Sequence, residues 1–259
     1  MRRTAVLLTS GSLFGLAIPS FLLVAWLLGS ASGVVGAAIL PPPGQVVATL
    51  LAMADSGELV QALVATVSRL AIGFLLGALA GTVLGALCGA SALARRLLDP
   101  SIQALRSVPS LAWVPLFILW LGIFESSKIC LIAVGVFFPV YLNLLGGIAG
   151  VDRKLLEVGT VHGLSRAQAL LRIQLPAALP SYVTGLRSGL GLGWMFVSAA
   201  ELLGASSGLG FVLDDGEQTG RPERILAAIL LFGLCGKLSD VALAAVGGRL
   251  VAWQDTVRR

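Results

Sequence analysis

Charge is what this sequence most lacks. Charged residues make up 12% of its 259 positions, and hydrophobic residues make up 57%. A soluble domain carries roughly 25% charged and 45–50% apolar residues. Thirteen acids and eighteen bases cannot clothe a water-facing surface of this chain, so lipid must supply the missing skin. Histidine is nearly absent as well, with His162 standing alone. That leaves no pair of histidines and carboxylates at metal-ligand spacing. It also removes the base of a serine–histidine intramembrane protease, because His162 falls between apolar spans. Cys88, Cys130 and Cys235 are odd in number, lie inside apolar stretches and show no metal spacing. They read as reduced packing residues. GLCGK at 233–237 would need glycine at 231 to be a phosphate loop, and Leu231 stands there. GASSGLG at 204–210 follows no strand and reads as an outer re-entrant or turn segment. The net charge of +5 comes without a basic patch interleaved with aromatics, which disfavours nucleic acid. No catalytic constellation is left.

What is present is oil in blocks. Six apolar spans run at 13–36, 61–90, 107–124, 129–149, 181–203 and 225–246; most contain the ~20 residues that cross a bilayer. The third is short and holds Pro109 and Pro115, which predicts a kinked or broken helix. The first follows Met-Arg-Arg, and GSASG at 29–33 has the small residues of a cleavage site. Its apolar run is long for a signal peptide and five more spans follow, so an uncleaved span is expected.

Positive charge orients the chain. With the N-terminus inside, the inner segments hold Arg2, Arg3, Arg95, Arg96, Arg106, Arg153, Lys154, Arg166, Arg172, Arg249, Arg258 and Arg259 against Asp99, Asp152, Glu157 and Asp255. The outer segments hold Lys128, Arg221 and Arg224 against Asp55, Glu58, Glu125, Asp214, Asp215, Glu217 and Glu223. Both termini and the stretch between the fourth and fifth spans are therefore expected in the cytoplasm.

Glycine has its own pattern. Gly73, Gly77, Gly81, Gly85 and Gly89 recur every fourth residue along the second span, and Gly185, Gly189 and Gly193 repeat the spacing in the fifth. Small residues so spaced let helices approach closely in lipid. Such a face suits either fixed packing within one subunit or a surface that slides during a transport cycle.

Between the fourth and fifth spans the chain spells EVGTVHGLSRAQALLRIQLPAALP, Glu157 to Pro180. Leu155 to Val161 suit about two helical turns that Gly163 would end. Ser165 then predicts an N-cap, with Gln168 placed as in a capping box. The second helix sets Ala169, Leu170 and Ile173 on one side. Gln168 and Arg172 lie opposite, joined by Leu171 and Leu175, and Arg166 lies over the apolar side, so its amphipathicity is partial. Pro176 and Pro180 are expected to end it and steer the chain back into the membrane. Such a helix–glycine–helix either rests on the headgroups or offers apolar side chains to a soluble partner.

The spacing of Glu157, Gly163 six residues on, and Ile173-x-Leu175-Pro176 after nine more resembles the signature loop of permease subunits of binding-protein-dependent ABC importers. Val158 and Gly159 stand where that pattern has two alanines. LPPPGQVV at 40–47, VSRLAIGFLLG, RRLLDPSIQALRSVPSLAWVPLFILWLGI, SKICLIAVGVFFPVYLNLLGGI and AAELLGASSGLGFVL extend the likeness over about 40–250, within the nitrate/sulfonate/taurine branch. The resemblance implies an all-α integral membrane protein with six transmembrane helices in the type I importer permease (MetI-like) fold. It divides the chain into an N-terminal span 1–38, a periplasmic segment 39–60, a permease core 61–250 with a coupling loop 150–180, and a cytoplasmic tail 251–259. It implies a bacterial inner-membrane homodimer with two cytoplasmic ATPases and a periplasmic or lipid-anchored binding protein. ATP and magnesium would be bound by the ATPase, with no cofactor or metal in this chain. By carry-over, Glu157, Gly163, Leu164, Ser165, Arg166, Ile173, Leu175 and Pro176 would couple to the ATPase.

Charges at membrane depth mark pathways. Arg187 in the fifth span suits an anion such as a sulfonate, nitrate or bicarbonate, or else snorkels to the inner interface. Glu201, near the outer end of that span, suits a gate or packing role, and Trp194 and Ser198 lie between them. Arg69 enters the second span by about two turns. Lys237 and Asp240, three apart, are placed to pair with each other. An ion-coupled secondary transporter or a non-transporting scaffold remain as alternatives. The loop pattern and the poverty of buried acids stand against the first.

Overall fold

The computed structural model describes residues 10–32, 36 and 39–253. Arg2, Arg3, Asp255, Arg258 and Arg259 of the charge count, and Gly33 of the small-residue segment, lie outside the described residues. Every regular element among the described residues is helical.

The chain divides into two compact units, one of residues 1–60 with 212–229 and one of 61–211 with 230–259. Helices α1 (Ser10–Ala31) and α2 (Pro43–Asp55) belong to the first. Pro43 opens α2, where its missing N–H is no loss. The Trp26 indole donates to the Pro41 carbonyl at 3.0 Å. Later in the same unit, Arg224 ion-pairs with Glu58 and places its Nε 2.9 Å from Asp215 Oδ2.

Helix α3 (Glu58–Ala90) runs 33 residues, about 50 Å at 1.5 Å per residue. Helix α4 (Ala92–Ser107) is capped by Ser91, whose hydroxyl accepts from the Ala94 N–H. Val108 is extended ahead of Pro109, a proline that disfavours helix in the residue before it. A 3-10 turn Ser110–Trp113 and α5 (Val114–Leu121) follow, bent by 88° from α4. The break at Val108–Pro109 falls at the start of the stretch 107–124 expected to be kinked or broken by its prolines. Gly122, at φ 72°, ends α5, a conformation that costs glycine little.

Helix α6 (Glu125–Ala149) forms the core of the second unit: Ile132, Val136, Val140 and Tyr141 are wholly buried. A Cβ at Gly73 would meet Ile132, one at Gly77 the Ala133 carbonyl, one at Gly81 the Phe137 carbonyl, one at Gly85 the Tyr141 carbonyl and one at Gly89 the Ile148 side chain. One glycine face of α3 thus lies against α6 for five steps. Helix α9 (Leu175–Leu202) meets α6 likewise, with Gly185 beside Asn143, Gly189 beside Val136 and Gly193 near Leu70 and Val136. The Tyr141 hydroxyl donates to Asp99 Oδ1 at 2.8 Å and ties α4 to this core.

The remaining helices are α7 (Arg153–Val161), α8 (Arg166–Ala169), α10 (Leu209–Gln218) and α11 (Pro222–Leu250). Among the described residues, α3, α6 and α11 are long and apolar enough to cross a membrane, and the bent α4–α5 pair supplies a fourth candidate. The other two expected spans correspond to α1, whose apolar described part is Ala17–Ala31, and to α9, diluted by glycine, serine and threonine.

Candidate functional site

The loop between α6 and α9 is built from strictly local chemistry. Asp152 caps α7 by accepting from the Lys154 N–H at 2.9 Å. At the other end Gly163 sits at φ 69°. Its N–H donates to the Thr160 carbonyl, and the Leu164 N–H reaches back to the Gly159 carbonyl, each at 3.0 Å. These two bonds form a Schellman close, which satisfies carbonyls the helix end would leave open. The chain then restarts at Ser165, whose hydroxyl accepts from the Gln168 N–H at 3.3 Å while Gln168 Oε1 accepts from the Ser165 N–H at 2.9 Å. The capping box is complete. His162 lies against the Val158 carbonyl through Nδ1 at 2.9 Å.

Gly159 is buried, and a Cβ there would come 2.7 Å from Ile173 Cδ1 and 3.6 Å from Leu164 Cδ1. The two arms of the loop close on each other at this glycine, one of the two positions that depart from the resembled pattern. Outward, Val161 is 85% exposed and Leu171 64%, with Val158 and Leu155 also open. Arg153 and Glu157 pair at 3.3 Å on the exposed surface, an arrangement of little energetic weight.

The prolines behave otherwise than expected: Pro176 and Pro180 do not end the helix. Residues Leu170–Gln174 form a π turn, and the Leu175 N–H donates five residues back to the Leu170 carbonyl. The hydrogen-bond register therefore shifts just before Pro176, where a missing N–H costs least, and α9 continues through Pro180.

The pathway residues chosen from sequence are dispersed. Arg187 donates from Nε and Nη2 to the two carboxylate oxygens of Asp240 on α11, at 2.8 and 2.9 Å. Asp240 is thus engaged by Arg187, and the expected pairing with Lys237 gives way to this bidentate bridge. The Trp194 indole donates to Ser239 Oγ at 2.8 Å and its ring meets Phe232 edge-on. The Ser198 hydroxyl turns back to the Met195 carbonyl.

Glu201 belongs to a buried cluster whose connections the sequence does not reveal. Its Oε2 accepts from Thr66 Oγ1 at 2.9 Å and from the Gly210 N–H at 2.8 Å, and its Oε1 accepts from Arg69 Nη1 at 2.7 Å. Arg69 also donates to Glu125 through Nε and Nη2, at 2.5 and 3.0 Å, and to the Ser207 carbonyl at 2.6 Å. Lys128 adds its ammonium to Glu125 at 3.3 Å. The Leu209 N–H closes the ring on Thr66 Oγ1. Gly208, at φ 125°, packs on the Glu201 carboxyl so closely that a Cβ would lie 2.5 Å from Oε1. Two cations and two carboxylates thereby bind α3, α6, α9 and the turn into α10. The only prior signal was Arg69 and Glu201 standing as opposite charges within apolar spans.

Residues 73–251 match the family described as "Binding-protein-dependent transport system inner membrane component". The chain belongs to that permease family. It is 43% identical to the SsuC permease of Bacillus subtilis, named for aliphatic sulfonates transport, over 95% of this chain and 89% of that one. It is 36% identical to the taurine transport system permease protein TauC of Escherichia coli, over 92% and 88%. The nitrate import permease protein NrtB of Leptolyngbya laminosa is 34% identical over 72% of this chain and 67% of its own length. The all-α membrane fold expected from the sequence is that of this family. In the permease, the family match spans the loop, α9 and all of α11; it also contains Glu125 and Glu201 but begins after Thr66 and Arg69. As a permease of a binding-protein-dependent system it works with a substrate-binding protein and an ATPase, and it sits in the membrane through several apolar helices.

Proposed function

We propose that the permease acts as a homodimer in the bacterial inner membrane, with both termini cytoplasmic, and that it imports a small anion. The solute is an aliphatic sulfonate, taurine or nitrate, for which relatives are named, or else bicarbonate. Two separate ATPase subunits bind ATP and magnesium and hydrolyse the nucleotide; this chain contributes no catalytic group. The observation that carries the reading is the α7–α8 loop. It is a double-capped hook with Val161 and Leu171 exposed at its surface. Exposed apolar side chains on a rigid, polar-capped element suit a groove in a soluble partner. Glu157, Gly163, Leu164, Ser165 and Arg166 form the contact, while Ile173, Leu175 and Pro176 join it to α9. Closure of the ATPases on ATP then pulls on α9 and reopens the spans to the other side.

Gly163→Pro tests this. Proline fixes φ near −65°, whereas Gly163 sits at φ 69° and donates its N–H to Thr160. The variant is expected to insert into the membrane at normal levels and to lose ATP-coupled uptake in proteoliposomes. Uptake at the normal rate would remove the coupling role from the loop.

A further inference from the structure

The arginines buried deepest in the fold are already engaged, which directs attention to another one. Arg69 and Arg224, the buried arginines, are each held by two carboxylates, and the exposed Arg187 by one. Arg106, on the last turn of α4, has no hydrogen-bond or ion-pair partner among the described residues. It lines a cleft of about 610 Å³ with Pro109 and Leu111 at the α4–α5 break, Phe138, Pro139 and Leu142 of α6, and Ser188, Leu192, Met195 and Phe196 of α9. Those stretches fall midway along α6 and α9. Charge counting assigns Arg106 to an inner segment, and in the fold it shares this cleft with residues midway along α6 and α9.

We propose that this cleft is a solute-binding station in the permease and that Arg106 holds the anionic head of the solute there. The inference rests on the reading of the chain as an anion importer and adds where the anion stops and which residue receives it. Arg106 is exposed and without a partner among the described residues, and a cation so placed among apolar span residues is a candidate functional residue. The cleft volume falls in the ~300–1,000 Å³ range of small-molecule pockets, which combine apolar walls with few polar anchors. Its second polar side chain, Ser188, also lacks a hydrogen-bond partner among the described residues and supplies a hydroxyl donor beside the cation. The other lining side chains named above are apolar. One forked cation and one hydroxyl in an oily wall match an anionic head carrying an alkyl tail better than a bare inorganic anion. An anionic lipid shares that chemistry, and the cleft is assigned to the solute.

Equilibrium binding of hexanesulfonate to the full-length permease in phosphatidylcholine nanodiscs tests the assignment without any ATPase. Wild type is expected to bind hexanesulfonate severalfold more tightly than methanesulfonate. Arg106→Ala should weaken hexanesulfonate about tenfold or more, in line with one lost charge-assisted hydrogen bond, and Arg106→Lys should restore most of the affinity. Leu192→Glu, which places an acid in the same wall, should repeat the loss and serves if Arg106→Ala fails to fold. Unchanged binding in a folded Arg106→Ala protein overturns the proposal, as does equal affinity for the two sulfonates. Native mass spectrometry after exposure to phosphatidylglycerol provides the lipid arm. If Arg106→Ala sheds bound phosphatidylglycerol and keeps hexanesulfonate, the cleft belongs to lipid and the proposal fails. Arg106-dependent binding without ATP-driven uptake in the assembled complex would sink the importer reading alone. ATP-driven uptake that survives Arg106→Ala would sink the cleft assignment alone.

Discussion

Glu201 is 1% exposed in a chain that has little charge anywhere. A carboxylate so placed is tolerable only with its oxygens satisfied, and here two side chains and a backbone N–H satisfy them. Removing Glu201 leaves Arg69 on Glu125 but strands the buried Gly210 N–H, at a cost of about 1–3 kcal/mol. Glu201→Ala is therefore expected to lower the thermal unfolding midpoint sharply. Glu201→Gln, which keeps the shape and one acceptor, should cost clearly less. Equal and negligible shifts for both would show that the cluster contributes no stability. This cluster was hardly legible in the sequence, because its members lie as much as 143 positions apart and no local pattern links Glu125 to Arg69. Arg187 misleads in a related way. It stands out as the one base in its span, and only folding brings Asp240 against it.

Helices are where the sequence speaks most clearly, wherever the relevant bonds are short-range. The Gly163 turn and the Ser165–Gln168 capping box follow from residues within six positions of one another. The break at Val108–Pro109, at the start of the expected third span, was equally readable from its prolines. Pro176 and Pro180 were misread because a proline's effect depends on the register it meets, and the π turn at Leu170–Gln174 changes that register. Periodicity marked the glycine face of α3, while the identity of its neighbour, α6, is a tertiary fact. Gly77 and Gly191 make a matched test. A side chain at Gly77 runs into the Ala133 backbone carbonyl and Val136, whereas nothing lies within 4 Å of the Cβ position at Gly191. Gly77→Val is expected to destabilise by about 1–3 kcal/mol through overpacking. Gly191→Ala is expected to be neutral or stabilising by up to about 1 kcal/mol from helix propensity. Chemical denaturation in detergent would read both; an unaffected Gly77→Val protein would mean that α3 and α6 are not in close contact.

For the whole molecule, composition was enough to identify a membrane protein, and the spacing of one polar loop pointed to its family. Wide sequence separation hid the Arg69–Glu125–Glu201 cluster and the Arg106 cleft, both of which need α3, α4, α6 and α9 assembled. Together they give the permease a firmly tied cluster at the α9–α10 turn, an anion station midway along its spans and a capped hook at the loop. The hook is the central claim, because it decides whether this chain is driven by ATP. The most direct measurement is the amount of purified cognate ATPase retained by the tagged full-length permease, for wild type against Val161→Asp and Leu171→Asp. Both residues are exposed, so neither change should disturb folding. Wild type should retain one ATPase per permease, and each variant should lose at least tenfold in apparent affinity while keeping its unfolding midpoint. Undiminished retention by both variants would contradict a hook that engages the ATPase through its apolar side chains.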